Sequence, residues 1–182
     1  MLNDKTVAVV VPAFNEEEQI LQVLNTMPAF VDRIVVVDDC STDKTPEIIA
    51  RFVLENNNNP DKMPITEKQV VPTRYNKADV ILKEISENEA RHYTPSFLTN
   101  KAPEKERVIF IRHLQNAGVG AAIASGYRWC RDHQIACTAV MAGDGQMDPD
   151  ELMSICMPVI QDGIDYVKGN RLIHRSSWRV IP

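Results

Sequence analysis

The stretch ThrAlaValMetAlaGlyAspGlyGlnMetAspPro, Thr138 to Pro149, ends an apolar run on a single carboxylate, Asp144, with Gly143 and Gly145 on its sides and Gln146 after it. Glycines on both sides remove side-chain bulk, so a ligand can approach the carboxylate and its backbone closely. Four other polar clusters also follow apolar runs: Pro12, Ala13, Phe14, Asn15 and Glu16; Asp38 to Asp43; His113 with Asn116, Ala117, Gly118, Val119 and Gly120; and Lys168 to Arg171. Taken singly, Asp38 and Asp39 read as a strand stop leading into an Asx turn, with Ser41 to Asp43 as ordinary turn residues. Asn116 to Gly120 reads either as a helix entry or as a phosphate or sugar contact, because glycines and a helix amino end leave backbone N–H groups free.

The runs that carry these clusters are strand candidates: Thr6 to Val11, Arg33 to Val37, Arg107 to Ile111, Ala136 to Met141 and Ile164 to Val167. They are continuously apolar, the pattern of strands covered on both faces. Helical patterns lie between them. Asn15 is a candidate cap for a helix through Ile20, Leu21, Leu24 and Met27, with Glu16 to Glu18 in its first turn. Thr45 and Pro46 open a second helix, with Ile48, Ile49, Phe52 and Val53 as its buried stripe. A third follows Gly118, with Ala121, Ala122, Ile123 and Trp129 available for packing. A fourth starts with Asp148, Pro149 and Glu151 as a capping-box variant and is expected to kink or end at Pro158.

This alternation predicts a doubly wound α/β fold with a mostly parallel sheet and helices on both faces, in one domain of 182 residues. All five clusters then fall at the carboxyl ends of strands, where open α/β sheets bind ligands. Glu55 to Glu106 breaks the rhythm with Asn56 to Pro60 and further prolines, and reads as an insertion serving as a lid or a linker. Within it, Ala78, Ile81, Leu82 and Ile85 have helical spacing and suggest a helix packed on the domain edge.

Composition narrows the function. A formal net charge of −5 argues against a duplex nucleic-acid partner, since phosphate backbones are bound by clustered Lys and Arg. Cys40, Cys130, Cys137 and Cys156 form no CxxC pair and read as reduced thiols of a cytosolic protein. Neither a signal peptide nor a bilayer-spanning run is visible. A nicotinamide dehydrogenase would place GxGxxG after the first strand, where ProAlaPheAsnGlu stands instead. A phosphoreceiver module would have no need of the AsnAlaGlyValGly and GlyAspGlyGln loops.

Together, ValValValProAlaPheAsnGlu, IleValValValAspAspCysSerThrAsp, AsnAlaGlyValGlyAla, AlaGlyAspGlyGlnMetAspProAspGluLeu and AspTyrValLysGlyAsnArgLeu resemble the family 2 glycosyltransferases of the GT-A fold, in the branch of the polyprenyl-phosphate (dolichol-phosphate mannose synthase-like) enzymes. The resemblance implies an inverting transfer of sugar from a nucleoside diphosphate sugar to a polyprenyl phosphate. It implies that Pro12, Ala13, Phe14, Asn15, Glu16, Asp38, Asp39, Asn116, Gly118, Gly143, Asp144 and Gln146 bind the donor, with Asp38 and Asp39 facing base or ribose. Asp144 is then the surviving acid of the family's Asp-x-Asp metal motif and Gln146 a neutral oxygen ligand, together holding Mg²⁺ or Mn²⁺ with the help of substrate phosphates. Arg171 matches the family arginine that orients phosphate, and with Asp144 completes the catalytic pair.

The departures have consequences. Ala142 occupies the place of the motif's first Asp, so metal and donor are expected to bind together. Val119 stands where the family often has a basic residue, leaving phosphate contacts there to backbone N–H groups. A lipid phosphate is already ionised near neutral pH and requires no strong general base, whereas a saccharide hydroxyl, the alternative acceptor, would require a carboxylate base beside it, and no acid of the sequence stands out for that role. His174, Arg175 and Arg179 form a basic tail that fits either an anionic membrane surface or solvent. Relatives of this branch continue into membrane-associated helices, so the expected location is the cytoplasm or the cytoplasmic membrane face, with part of the acceptor site beyond this chain. A non-catalytic sugar-nucleotide-binding protein is the rival reading, carried by Ala142.

Overall fold

The structure, a computed structural model, describes residues 1–57 and 91–170, with Ile81, Glu84, Ile85, Asn88 and Glu89 between them. Its strands are β1 (Val7–Ala13), β2 (Arg33–Asp38), β3 (Ser96–Leu98), β4 (Val108–His113) and β5 (Cys137–Val140). Its helices are α1 (Ile20–Asn25), α2 (Thr45–Asn56), α3 (Val119–Asp132) and α4 (Leu152–Gln161), the last entered through a 3₁₀ turn at Pro149–Glu151. The sheet order is β3-β4-β2-β1-β5, with β3 antiparallel and every other pairing parallel. This is the mixed α/β, Rossmann-like arrangement expected of a GT-A domain.

Alternation along the strands divides the core in two. Val7, Val9, Val11, Ile34, Val36, Val108 and Phe110 face α1, α2 and α4. Ala8, Val10, Val35, Val37, Ile109 and Ile111 face α3 through Ala122, Trp129 and Cys130. The period of two along β1, β2 and β4 thus supplies both faces with apolar side chains. Helix α3 lies unusually close to β1, because a Cβ on Gly126 would sit 2.3 Å from Val10 Cγ1.

Several local expectations are corrected. Asn15 caps no helix: with φ +55°, its N–H donates to Ser41 Oγ (2.9 Å) and its Oδ1 accepts from Thr42 N–H (2.9 Å), so α1 begins only at Ile20. Thr45 is the first residue of α2 rather than its cap, and Asp43 Oδ1 accepts its N–H at 2.9 Å. Asp148 accepts from Asp150 N–H (3.0 Å), which winds a 3₁₀ turn before α4, and Pro158 lies inside α4 without ending it.

Ile164 to Val167 is no strand: Ile164 N–H bonds to Pro158 O (3.4 Å), and Ile164 and Tyr166 are exposed, so the segment pairs with nothing in the sheet. The far end of the insertion is an edge strand, β3, which sequence periodicity did not reveal. Beside it, side-chain amides substitute for a neighbouring backbone. Asn57 accepts from Val108 N–H (2.9 Å) and donates to Val108 O (3.0 Å), while Asn100 accepts from Phe110 N–H (2.6 Å). Ile81 and Ile85 have helical backbone and are about half exposed; Ala78 and Leu82 lie outside the described residues.

The close approach of α3 yields a prediction. Gly126→Ala forces a methyl against Val10 and is expected to destabilise the protein by about 1–3 kcal/mol through overpacking, read as a lower urea midpoint at unchanged slope.

Candidate functional site at the carboxyl rim of the sheet

The loops after β1 and β2 are clasped by side chains that bond to each other's backbone. Besides the Asn15 contacts, Glu16 N–H donates to Thr45 Oγ1 (2.8 Å), Glu17 N–H to Asp43 Oδ2 (3.2 Å), and Lys44 N–H to Glu17 Oε2 (2.9 Å). The β5 loop joins on the other side of β1. Gly143 N–H donates to Pro12 O (3.1 Å), and a Cβ at Gly143 would stand 3.1 Å from that oxygen, so only glycine allows the two backbones this approach without displacement. Gly145 takes φ +71°, and Gln146 N–H donates to Asp144 Oδ1 (3.0 Å), an Asx turn.

Pro12, Ala13 and Gly143 are buried, whereas Phe14, Asn15 and Gln146 are exposed and Glu16 and Asp144 partly so. Burial raises the Glu16 carboxyl above its ordinary value, and the nearby Asp144 and Asp43 carboxylates raise it further. The structure therefore brings Glu16, Asp43 and Asp144 into one anionic neighbourhood.

Asp38 and Asp39 do not present free carboxylates. Asp38, fully buried, accepts Ser41 N–H (3.1 Å) and lies 3.1 Å from Arg112 Nε. Asp39, 2% exposed, binds His113 Nδ1 (2.7 Å), Ala117 N–H (3.0 Å) and Gly118 N–H (2.7 Å). These bonds engage both oxygens of the Asp39 carboxylate and tie the Asn116–Gly118 loop to the rim, helped by Asn116 Nδ2 donating to Asp39 O (3.2 Å). Gly118, at φ +88°, turns the chain into α3.

Arg171 and the basic residues His174, Arg175 and Arg179 lie outside the described residues. Among the described residues no three His, Cys, Asp or Glu side chains gather at metal-binding distance. Glu16 and Asp144 are nevertheless near enough to interact electrostatically, and both are only partly exposed, so an oxygen-preferring divalent cation fits the chemistry of this pair. A cavity of about 240 Å³ is lined by Tyr93, Ile111, Ser125 and Trp129 among others. All four cysteines are free, and burial pushes the Cys130 thiol up to about 12. No helix among the described residues is long and apolar enough to cross a membrane.

Sequence reasoning gave Thr45 only a place at the start of a helix and missed its bond to Glu16, and it missed Ser125 and the clasp made by Glu17 and Asp43. The detectable trace of Ser125 is a small polar residue followed by glycine within an otherwise amphipathic helix.

A mostly parallel sheet whose loops gather acids and glycines at one rim is the α/β arrangement in which ligands bind beyond the carboxyl ends of the strands. The chain belongs to glycosyl transferase family 2, whose sequence profile matches residues 8–63 and 85–182. It is 27% identical over 180 residues to a UDP-N-acetylglucosamine–dolichyl-phosphate N-acetylglucosaminyltransferase of Methanococcus voltae, covering 98% of this chain and 57% of that protein. It is 26% identical over 182 residues to the uncharacterized protein MJ1222 of Methanocaldococcus jannaschii, covering 100% of this chain and 53% of that one. A 50-residue stretch, 25% of this chain, is 40% identical to 9% of a poly(ribitol-phosphate) beta-N-acetylglucosaminyltransferase, TarS, of Staphylococcus aureus. The chain spans about half the length of the first two relatives.

Because the folded-state value of Glu16 is raised, the native state binds more protons than the unfolded state just above the ordinary value of 4.5. Stability is therefore lost as pH rises from there through the raised value. Glu16→Gln should lack that loss and denature at slightly higher urea than wild type at neutral pH, the two converging in acid, as urea titrations at a series of pH values would show.

Proposed function

We propose that this chain is the catalytic domain of an inverting glycosyltransferase that moves a sugar from a nucleoside diphosphate sugar to a polyprenyl phosphate. The observation that carries this reading is the gathering of the β1, β2 and β5 loops around Asp144 and Glu16 at the carboxyl rim, in a chain of glycosyl transferase family 2. The lipid-phosphate acceptor is favoured by the Methanococcus voltae relative, whose name specifies dolichyl phosphate, and that relative's donor makes UDP-N-acetylglucosamine the first to try.

In this reading the exposed Phe14 ring and the Pro12–Ala13 backbone wall the nucleoside. Asn15 and the Asp38 loop hold that wall in place, and the Asn116–Gly118 turn brings the exposed backbone N–H groups of Val119 and Gly120 toward the phosphates at the amino end of α3, the Gly118 N–H itself being bonded to Asp39. Asp144 and Gln146 would hold Mg²⁺ or Mn²⁺, whose contribution is to neutralise charge on the departing diphosphate. Arg171 orients the acceptor phosphate. With the acceptor oxygen already ionised, the protein's task is positioning and charge screening, so no proton need be removed at attack.

A thermal-stability panel of nucleotide sugars with and without Mn²⁺ tests the binding half, because a ligand selective for the native state raises its melting temperature. The expected result is stabilisation that requires Mn²⁺ and disappears in Asp144→Ala. Turnover with a polyprenyl phosphate should fall in Asp144→Ala by about 100-fold or more, the scale of losing a preorganised electrostatic group. Undiminished metal-dependent turnover in that variant would sink the assignment. Donor binding without release of nucleoside diphosphate from the membrane-supplied protein would favour the non-catalytic reading.

A further inference from the structure

A buried hydrogen-bond chain leaves the rim and runs into the middle of α3. Asp39 Oδ1 meets His113 Nδ1 at 2.7 Å, and His113 Nε2 meets Ser125 Oγ at 2.8 Å. Asp39, His113 and Ser125 are 2%, 1% and 7% exposed, so water does not compete for these groups. An ionised carboxylate only accepts, so Nδ1 carries a hydrogen; in the neutral ring Nε2 is then the acceptor for the Ser125 hydroxyl, and in the imidazolium it donates to the same oxygen. At its other end the same carboxylate accepts Ala117 N–H (3.0 Å) and Gly118 N–H (2.7 Å), the two residues that lead into α3.

We infer that His113 and Ser125 are positioning residues for the donor: through Asp39 they set the Ala117–Gly118 backbone, and with it the loop proposed above to face the diphosphate. The inference rests on that reading of the rim. Three packing facts support it. Asp39 follows Val35 and Val37 at a spacing of two, so it belongs to the sheet face that α3 covers. Ser125 is buried on α3 beside Gly126, whose missing Cβ brings the helix against Val10 and within reach of the His113 ring. The amides of Ala117 and Gly118 are turned inward to Asp39, which leaves the backbone N–H groups of Val119 and Gly120 at the exposed start of α3 as the ones available to an anion. Asp39 would then serve the donor without touching it, by choosing which amides face out.

The variants Ser125→Ala, Ser125→Thr and His113→Asn, made singly, and the double variant of Ser125→Ala with His113→Asn, test the chain in the full protein. Asn retains a donor toward Asp39 and loses the reach to Ser125. The first readout is amide hydrogen exchange at Ala117 and Gly118 without ligand. The second is steady-state kinetics with the nucleotide sugar selected by the wild-type panel, UDP-N-acetylglucosamine first. Expected are faster exchange at both amides and a donor KM raised about fivefold for the loss of one buried hydrogen bond, with kcat within about twofold. Ser125→Thr should lie near wild type, and the double variant should be no worse than the worse single one, as members of one chain are not additive. Unchanged exchange in both Ser125→Ala and His113→Asn overturns the chain, as do effects that add in the double variant. Faster exchange with unchanged donor KM overturns its role in positioning. A wild-type protein that binds no nucleotide sugar overturns the donor reading and the KM consequence with it, while exchange still decides whether the chain sets the loop.

Discussion

The carboxylate of Asp39 is buried at the end of β2, and burying a charge is costly unless hydrogen bonds replace its water. Everything around it meets that requirement. His113 on β4, and the amides of Ala117 and Gly118 before α3, converge on its two oxygens. Because three partners come from beyond β2, satisfying one charge also fixes where β4 ends, where α3 begins and how the Asn116 loop lies. Its neighbour Asp38 points to the opposite sheet face, where Ser41 N–H and Arg112 meet it. Two adjacent acids thus anchor the two faces of the sheet at the same rim, a direct consequence of the period of two along a strand.

Around that anchor the rim is assembled by reciprocal contacts between loops. Asn15 and Glu17 of the β1 loop exchange side-chain-to-backbone bonds with Ser41 to Lys44 of the β2 loop, and Gly143 lets the β5 loop rest on Pro12. Polar groups thereby held need little rearrangement when a ligand arrives, which is how an enzyme stabilises developing charge without reorganising at the moment of reaction. The arrangement also gathers negative charge, seen in the raised carboxyl of Glu16. That repulsion, added to the burial of Glu16, costs stability in the free protein.

The stretches matched by glycosyl transferase family 2, residues 8–63 and 85–182, include the loops that carry these polar residues. With alanine at position 142, the acidic neighbour of Asp144 is Glu16 of the β1 loop. Neighbouring strands bring the two together, since β1 and β5 pair in parallel and deliver their carboxyl ends side by side.

The alternation of apolar runs and capped helical stripes was enough to read four parallel strands, their order along the chain and the rim at which the polar clusters meet. Those features depend on local periodicity and on burial, and both are written residue by residue. Partnership is not. Asn15 has the side chain of a helix cap and finds Thr42 instead; Ile164 to Val167 has the composition of a strand and finds no neighbour; Ser96 to Leu98 lacks a strand pattern and becomes an edge because Asn57 and Asn100 prepare one side of β4 to receive it. The identity of Asp39 as an acid at a strand end was plain from the sequence, but its use as an internal anchor depended on residues 74 to 79 positions away. Sequence by itself determined which groups could bond; the tertiary structure decided which did, because a buried donor or acceptor takes the partner that packing brings within about 3 Å and not the one nearest along the chain.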